Sequence, residues 1–224
     1  MTEAEKQLEQ ERAEELAASI GGALAVILGL RADTVRWDAD TASFIFDGRR
    51  VSNKTIRREL GRIETGVGYR IAKLTDRLAR KEISLSQWQD QFTQLVSSSH
   101  VLMAAIGSGS IAAALSKPIV GQNIASELKY AENFAKDIEK KKLSAPTIKA
   151  RGKGYLLGAT LTYATVQIAV KQAAGMIEAR RVRTARESCR GCIDAAGSWM
   201  PIADIPEIGS LQCRSKCRCY LEYR

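Results

Sequence analysis

The chain has 224 residues, a net charge of +9, and five cysteines against a single histidine. That length can bury a real core in one or two domains, and the low aromatic content and four prolines favour a mostly helical protein. A lone histidine among scattered acids forms no general acid–base constellation, so composition argues against an enzyme and for a protein that works by binding.

Thr2 and Glu5 make a capping-box pair that opens a helix over residues 2–30. Leu8, Leu16 and Ile20 are sparse apolar positions on a charged surface, which fits either an assembly arm or a solvated terminus. Residues 17–30 are apolar but short of the about 20 residues that span a bilayer. With Gly21, Gly22 and Gly29 they read as a packing or interface segment, a helix lying on a membrane being the other option. The acidic start, Met1-Thr2-Glu3-Ala4-Glu5, is unlike the basic start of a signal peptide.

Residues 31–52 change character. Val35, Trp37, Phe44, Ile45 and Phe46 sit among Asp, Thr and Ser, and Asp47-Gly48 signals a turn, so short strands are expected. Ser52 or Asn53 then caps a helix. Ile56, Leu60, Ile63, Val67, Ile71, Leu74 and Leu78 recur every three or four residues and give it one apolar stripe over residues 53–81. Residues 49–81 hold eleven basic side chains and three acids. Arg57, Arg58, Arg62, Arg70, Lys73 and Arg77 are the candidate contacts with DNA or an acidic partner. The alternative is an ordinary solvated face, because charge alone reads no base and no stacking platform is evident.

Ser84 or Ser86 caps the next helix, which runs to Ile106 on Trp88, Phe92, Leu95, Val96, Leu102 and Met103. His100 within it has no metal-binding companions and is expected to be a packing or surface residue. Gly107-Ser108-Gly109-Ser110 lacks the spacing of a phosphate loop and reads as a flexible hinge between helices. A helix over residues 121–142 ends in three lysines that suit its negative pole. Ser144 starts the last helix, with Pro146 allowed in its first turn. That helix is expected to run over residues 145–186, carrying Arg180, Arg181, Arg183 and Arg186 at its end.

All five cysteines lie between residues 189 and 219: Cys189-x2-Cys192, then Cys213, Cys217 and Cys219. A C-x2-C pair, about twenty residues and a second cluster is the spacing of a structural zinc knuckle. Four of the five would fill a tetrahedral site: Cys189, Cys192 and Cys213, with Cys217 or Cys219 as the fourth. An all-cysteine site is closed and structural rather than catalytic. Disulfides or free thiols are the competing readings. A spare thiol beside Arg218 would be acidified but has no base to work with.

The expected fold is therefore mostly α. An N-terminal arm (1–30) and an extended, β-forming segment (31–52, strands near 35–50) lead into an elongated helical body (53–186) and a small C-terminal zinc-knuckle module (187–224).

The order of features resembles the minor head, or head morphogenesis, proteins of tailed bacteriophages, the Mu-like group among them. The residues that carry the resemblance are Asp47-Gly48-Arg49-Arg50-Val51-Ser52, Ile83-Ser84-Leu85-Ser86-Gln87-Trp88, Ala150-Arg151-Gly152-Lys153-Gly154-Tyr155 and above all the end of the chain. There Cys189-x2-Cys192 is followed by Ile205-Pro206-Glu207-Ile208-Gly209-Ser210 and a final Cys217-Arg218-Cys219. The Mu-like pattern has a His-Pro shortly before Cys-Arg-Cys, where this chain has Arg214-Ser215-Lys216 with Cys213 one position away. The resemblance implies a structural virion component near the portal vertex, assembled in the host cytoplasm and present in few copies, as a homo-oligomeric ring or low-copy assembly. Its partners would be the portal or major capsid protein, with packaged DNA as a further contact and no small-molecule substrate. The alternative expectation is a zinc-ribbon nucleic-acid-binding protein of cellular type.

Overall fold

Trp88, Phe92, Val96, Met103 and Ile106 return to one side of a helix every three or four residues, and all five are buried. That face belongs to α2 (Leu85–Ser108), which with α5 (Ala145–Ala173) forms the central pair of the molecule. α1 (Asn53–Ala79) and α4 (Pro118–Lys141) pack against both, and the short α3 (Ile111–Leu115) links α2 to α4. The structure is a computed structural model, and it describes residues 35–46, 48–184, 187–213 and 217–224. The expected arm over residues 2–30, with its apolar segment 17–30, lies outside the described residues. Among the described residues no helix is long and apolar enough to cross a membrane.

The helix starts are where cap chemistry puts them. The Ser52 hydroxyl accepts from the Thr55 amide at 3.2 Å. Ser84 and Gln87 form a reciprocal capping box, closing two amides that the helix cannot satisfy itself. α4 begins at Pro118, earlier than the expected residue 121, because proline is well suited to the first helical turn.

Between α2 and α5, Trp88 stacks on Phe92 at 4.7 Å, and Phe134 of α4 meets both rings edge-on. A second apolar cluster at the other end of the body holds Leu60, Ile63, Met103 and Tyr163. It is closed by the segment expected to be extended, which forms an antiparallel meander of β1 (Val35–Asp38), β2 (Ser43–Phe46) and β3 (Arg49–Arg50). Trp37 of β1 lies on Gly109, where a Cβ would fall 2.1 Å from the indole. The Gly-Ser run is thus not a hinge. Gly107 and Ser108 finish α2, and Gly109 caps it at φ +87°, a conformation that costs glycine nothing. Lys171 of α5 ties the meander down by donating to the Thr41 carbonyl and the Ser43 hydroxyl.

His100 is a packing residue, as expected: it is 1 % exposed, with Nδ1 2.8 Å from the Thr162 hydroxyl. Burial pushes its pKa down from 6.5 to about 4. The unfolded chain therefore binds a proton at this site well before the fold does. The resulting stability is complete above about pH 6.5 and is lost as the pH falls toward 4, roughly 3 kcal/mol in all. Urea melts between pH 7 and 4.5 should show that loss, and His100→Gln should flatten it.

The last long helix ends earlier than expected, at Ala173 rather than residue 186. Gly175 turns at φ +80°, its amide bonds the Gln172 carbonyl, and the Met176 amide bonds that of Lys171. Residues 178–182 then alternate between inward and outward side chains and form β4 (Glu178–Val182). β4 is the middle strand of a second antiparallel sheet, between β5 (Met200–Pro201) and β6 (Tyr220–Tyr223). Arg180 and Arg181 are strand residues, not a basic helix end.

Candidate metal centre

The C-terminal module is too small to bury much apolar surface by itself. Its core is Ala179, Ile202, Ile205, Ile208 and Leu221 around two buried sulfurs, those of Cys192 and Cys217. Cys189 precedes a single helical turn, α6 (Arg190–Asp194), which swings Cys192 back toward it. The chain then runs along β5 and through the Ile205–Ser210 turn to Cys213, and Cys217 and Cys219 lead into β6. No two of the five cysteines are joined in a disulfide, and they gather into two triads that share Cys192.

Two triads can each hold an ion: Cys189, Cys192 and Cys213, and Cys192, Cys217 and Cys219, with the sulfurs of each triad all within 4.8 Å of one another. Cys192 is common to both. Its Sγ lies 3.4 Å from that of Cys213 and 3.8 Å from that of Cys217. A tetrahedral zinc with bonds of about 2.3 Å places its sulfurs about 3.8 Å apart, so each of these two separations is that of a pair of sulfurs sharing an ion, although Cys213 and Cys217 belong to different triads. A disulfide would use Cys192 for a single partner, whereas a metal lets its sulfur be shared with neighbours in both triads.

Electrostatics points the same way. Arg181 projects from β4 into the module and is 1 % exposed. Its Nη1 lies 3.7 Å from the Cys217 sulfur and 3.9 Å from that of Cys192, and Nη2 donates to the Pro206 and Glu207 carbonyls. A buried guanidinium cannot shed its proton and needs negative charge near it. Among the described residues none of its hydrogen bonds goes to a carboxylate, and what it faces are thiols. Four thiolates on a divalent cation leave a doubly negative centre, and Arg181 is placed to offset it.

The five thiols differ widely in acidity. Backbone donation from Cys192 brings Cys189 down to about 7. Burial pushes up Cys192, Cys213, to about 11, and Cys219. For Cys217 burial also acts upward, but the Cys219 amide and neighbouring donors outweigh it and hold the thiol below its ordinary value. A cation would bring all its ligands to the thiolate form, releasing protons as it binds.

The centre is fixed to the helical body through the residue between two of its cysteines. The Arg218 carbonyl accepts from Arg57 of α1 at 2.7 Å and from the Thr184 hydroxyl, and the Arg218 guanidinium reaches Glu64 at 3.4 Å. Arg57 also lies over the Tyr220 ring, 4.9 Å from its centroid. Arg57 was expected on the outward basic face, and the structure turns it into this joint instead. Arg58 and Arg62 pair with the buried carboxylate of Glu59 at 2.8 and 2.9 Å. Arg70, Lys73 and Arg77 are exposed on the same helix, Lys73 over Tyr69 and Arg77 near Glu82.

Arg181 is the site residue that sequence reasoning missed. The alternation of residues 178–182 is one of burial, with Ala179 and Arg181 inward, and the sequence Glu-Ala-Arg-Arg-Val carries no matching apolar period that could have signalled it.

No family model matches the chain, and neither a curated protein nor a solved structure matches it at a significant level.

Proposed function

We propose that the chain is a structural virion protein of a tailed phage, a minor head or neck component that docks at the portal vertex and aids head assembly. In this reading one zinc ion, held by Cys189, Cys192, Cys213 and Cys217, folds the C-terminal tail into a contact module. Zinc supplies only cross-linking, a binding free energy on the order of 10 kcal/mol that becomes folding free energy. The chain supplies the rest: Arg181 offsets the thiolate charge, and Arg57, Thr184 and Glu64 hold Arg218, and with it the module, against α1 and α5.

The observation that carries the reading is the convergence of the phage-like signature on one centre. Cys189, Cys192, Cys217 and Pro206 are separated in sequence, yet the Pro206 carbonyl and the Cys192 and Cys217 sulfurs all surround the Arg181 guanidinium. The portal and major capsid proteins are the proposed partners, and the helical body is the proposed docking element, acting by binding rather than catalysis. Quantitative mass spectrometry of purified particles should find the protein at a low, ring-like copy number relative to the major capsid protein. Its absence from particles would sink the reading and favour a cellular zinc-ribbon protein.

A further inference from the structure

The three acids of α1 have no free outward charge. Glu59 has a side chain only 2 % exposed, Glu64 is 17 % exposed and bonded by Thr160 and Arg218, and Asp76, 42 % exposed, is ion-paired with Lys149 at 2.6 Å. The helix's exposed charged side chains are otherwise all cationic: Lys54, Arg58, Arg62, Arg70, Lys73 and Arg77. Apart from a gap at Gly66 they recur about once per turn, a rise of roughly 6 Å per step and about 35 Å in all. Glu59 offsets part of the charge of Arg58 and Arg62, and Glu82 part of that of Arg77. A surplus of about four remains.

We infer that this outer face of α1 binds the phosphate backbone of duplex DNA without sequence preference. A protein partner is the less fitting occupant. Protein interfaces centre on a charge-poor core with apolar or aromatic anchors, and on this face only Tyr69, 60 % exposed, is a large hydrophobic side chain. A single strand would want several aromatic platforms on which bases stack. Most of the cations are arginines, whose planar forks match phosphate oxygens bidentately. With no groove-reading element among them, the contacts position without specifying.

This inference does not depend on the virion reading. A chain absent from particles could still bind DNA, and a virion protein could fail to.

The test uses the full-length, metal-loaded protein and a fluorescent 30-base-pair duplex of arbitrary sequence, followed by anisotropy between 50 and 200 mM KCl. Binding is expected at the low-salt end, with log affinity falling against log salt at a slope of about −4. Arg70→Ala with Lys73→Ala should lower the slope by about two while leaving circular dichroism and metal content unchanged. A second duplex of unrelated sequence should bind equally. No binding at 50 mM KCl would overturn the inference, as would an unchanged slope in the folded double variant. Equal binding of polyglutamate would overturn it in favour of an acidic protein surface.

Discussion

Cys192→Ser is expected to abolish stoichiometric metal binding and unfold the C-terminal module while leaving the helical body standing. Cys192 belongs to both thiol triads, so among the described residues neither triad survives without it. The module's own apolar core is small, and the metal's contribution, on the order of 10 kcal/mol, exceeds what that core can replace. The body has independent apolar clusters around Trp88, Phe92 and Phe134 and around Leu60, Ile63 and Met103. Hydrogen exchange should therefore show protection lost over residues 178–224 and kept in α2 and α5. The same measurement separates the two candidate fourth ligands. Cys217 is buried and stands at the tetrahedral separation from Cys192, and Cys219 is half-buried like Cys189 and Cys213. Cys217→Ser should behave like Cys192→Ser, and Cys219→Ser should retain one ion per chain.

Arg181→Met should weaken metal binding by about 10- to 100-fold, the usual cost of losing a partner that orients or neutralises metal ligands. Methionine roughly conserves volume, so the loss would come from charge and hydrogen bonding rather than from a cavity. Without the guanidinium, the Pro206 and Glu207 carbonyls lose their donor, and a doubly negative centre is left in the interior uncompensated. Arg181→Lys should recover part of the affinity, because it restores the charge but not the fork that reaches two carbonyls and two sulfurs. Competition with a chelating dye reads both variants. If Arg181→Met held metal as tightly as the parent, Arg181 would be a structural residue with no bearing on the centre.

The parts of the fold that were legible in the sequence are those governed by local period and caps. The stripe Ile56, Leu60, Ile63, Ile71, Leu74 describes α1, and Ser52, Ser84 and Ser144 mark helix starts whose chemistry is confined to a few neighbouring residues. The five cysteines could be read as one site because metal-ligand spacing is itself a local pattern. Arg181 was not legible, because its meaning depends on partners 11, 25, 26 and 36 positions away. A helix rich in Ala, Val and Lys followed by a basic strand offers no break in composition, and only Gly175 marks the change. Arg57 misled for the same reason: one residue in a basic helix looks like its neighbours until Tyr220 and the Arg218 carbonyl arrive from the far end of the chain. The Gly107–Ser110 run looked flexible because composition cannot reveal that an indole is seated on Gly109.

On the proposed reading one zinc ion joins the cysteines of the C-terminal module. X-ray absorption at the zinc edge on the purified native chain, with metal analysis of the same sample, tests it most directly. About one zinc per chain is expected, with four sulfur neighbours at about 2.3 Å. A chain without stoichiometric metal whose cysteines are disulfide-bonded, or a zinc shell made largely of nitrogen and oxygen, would contradict it.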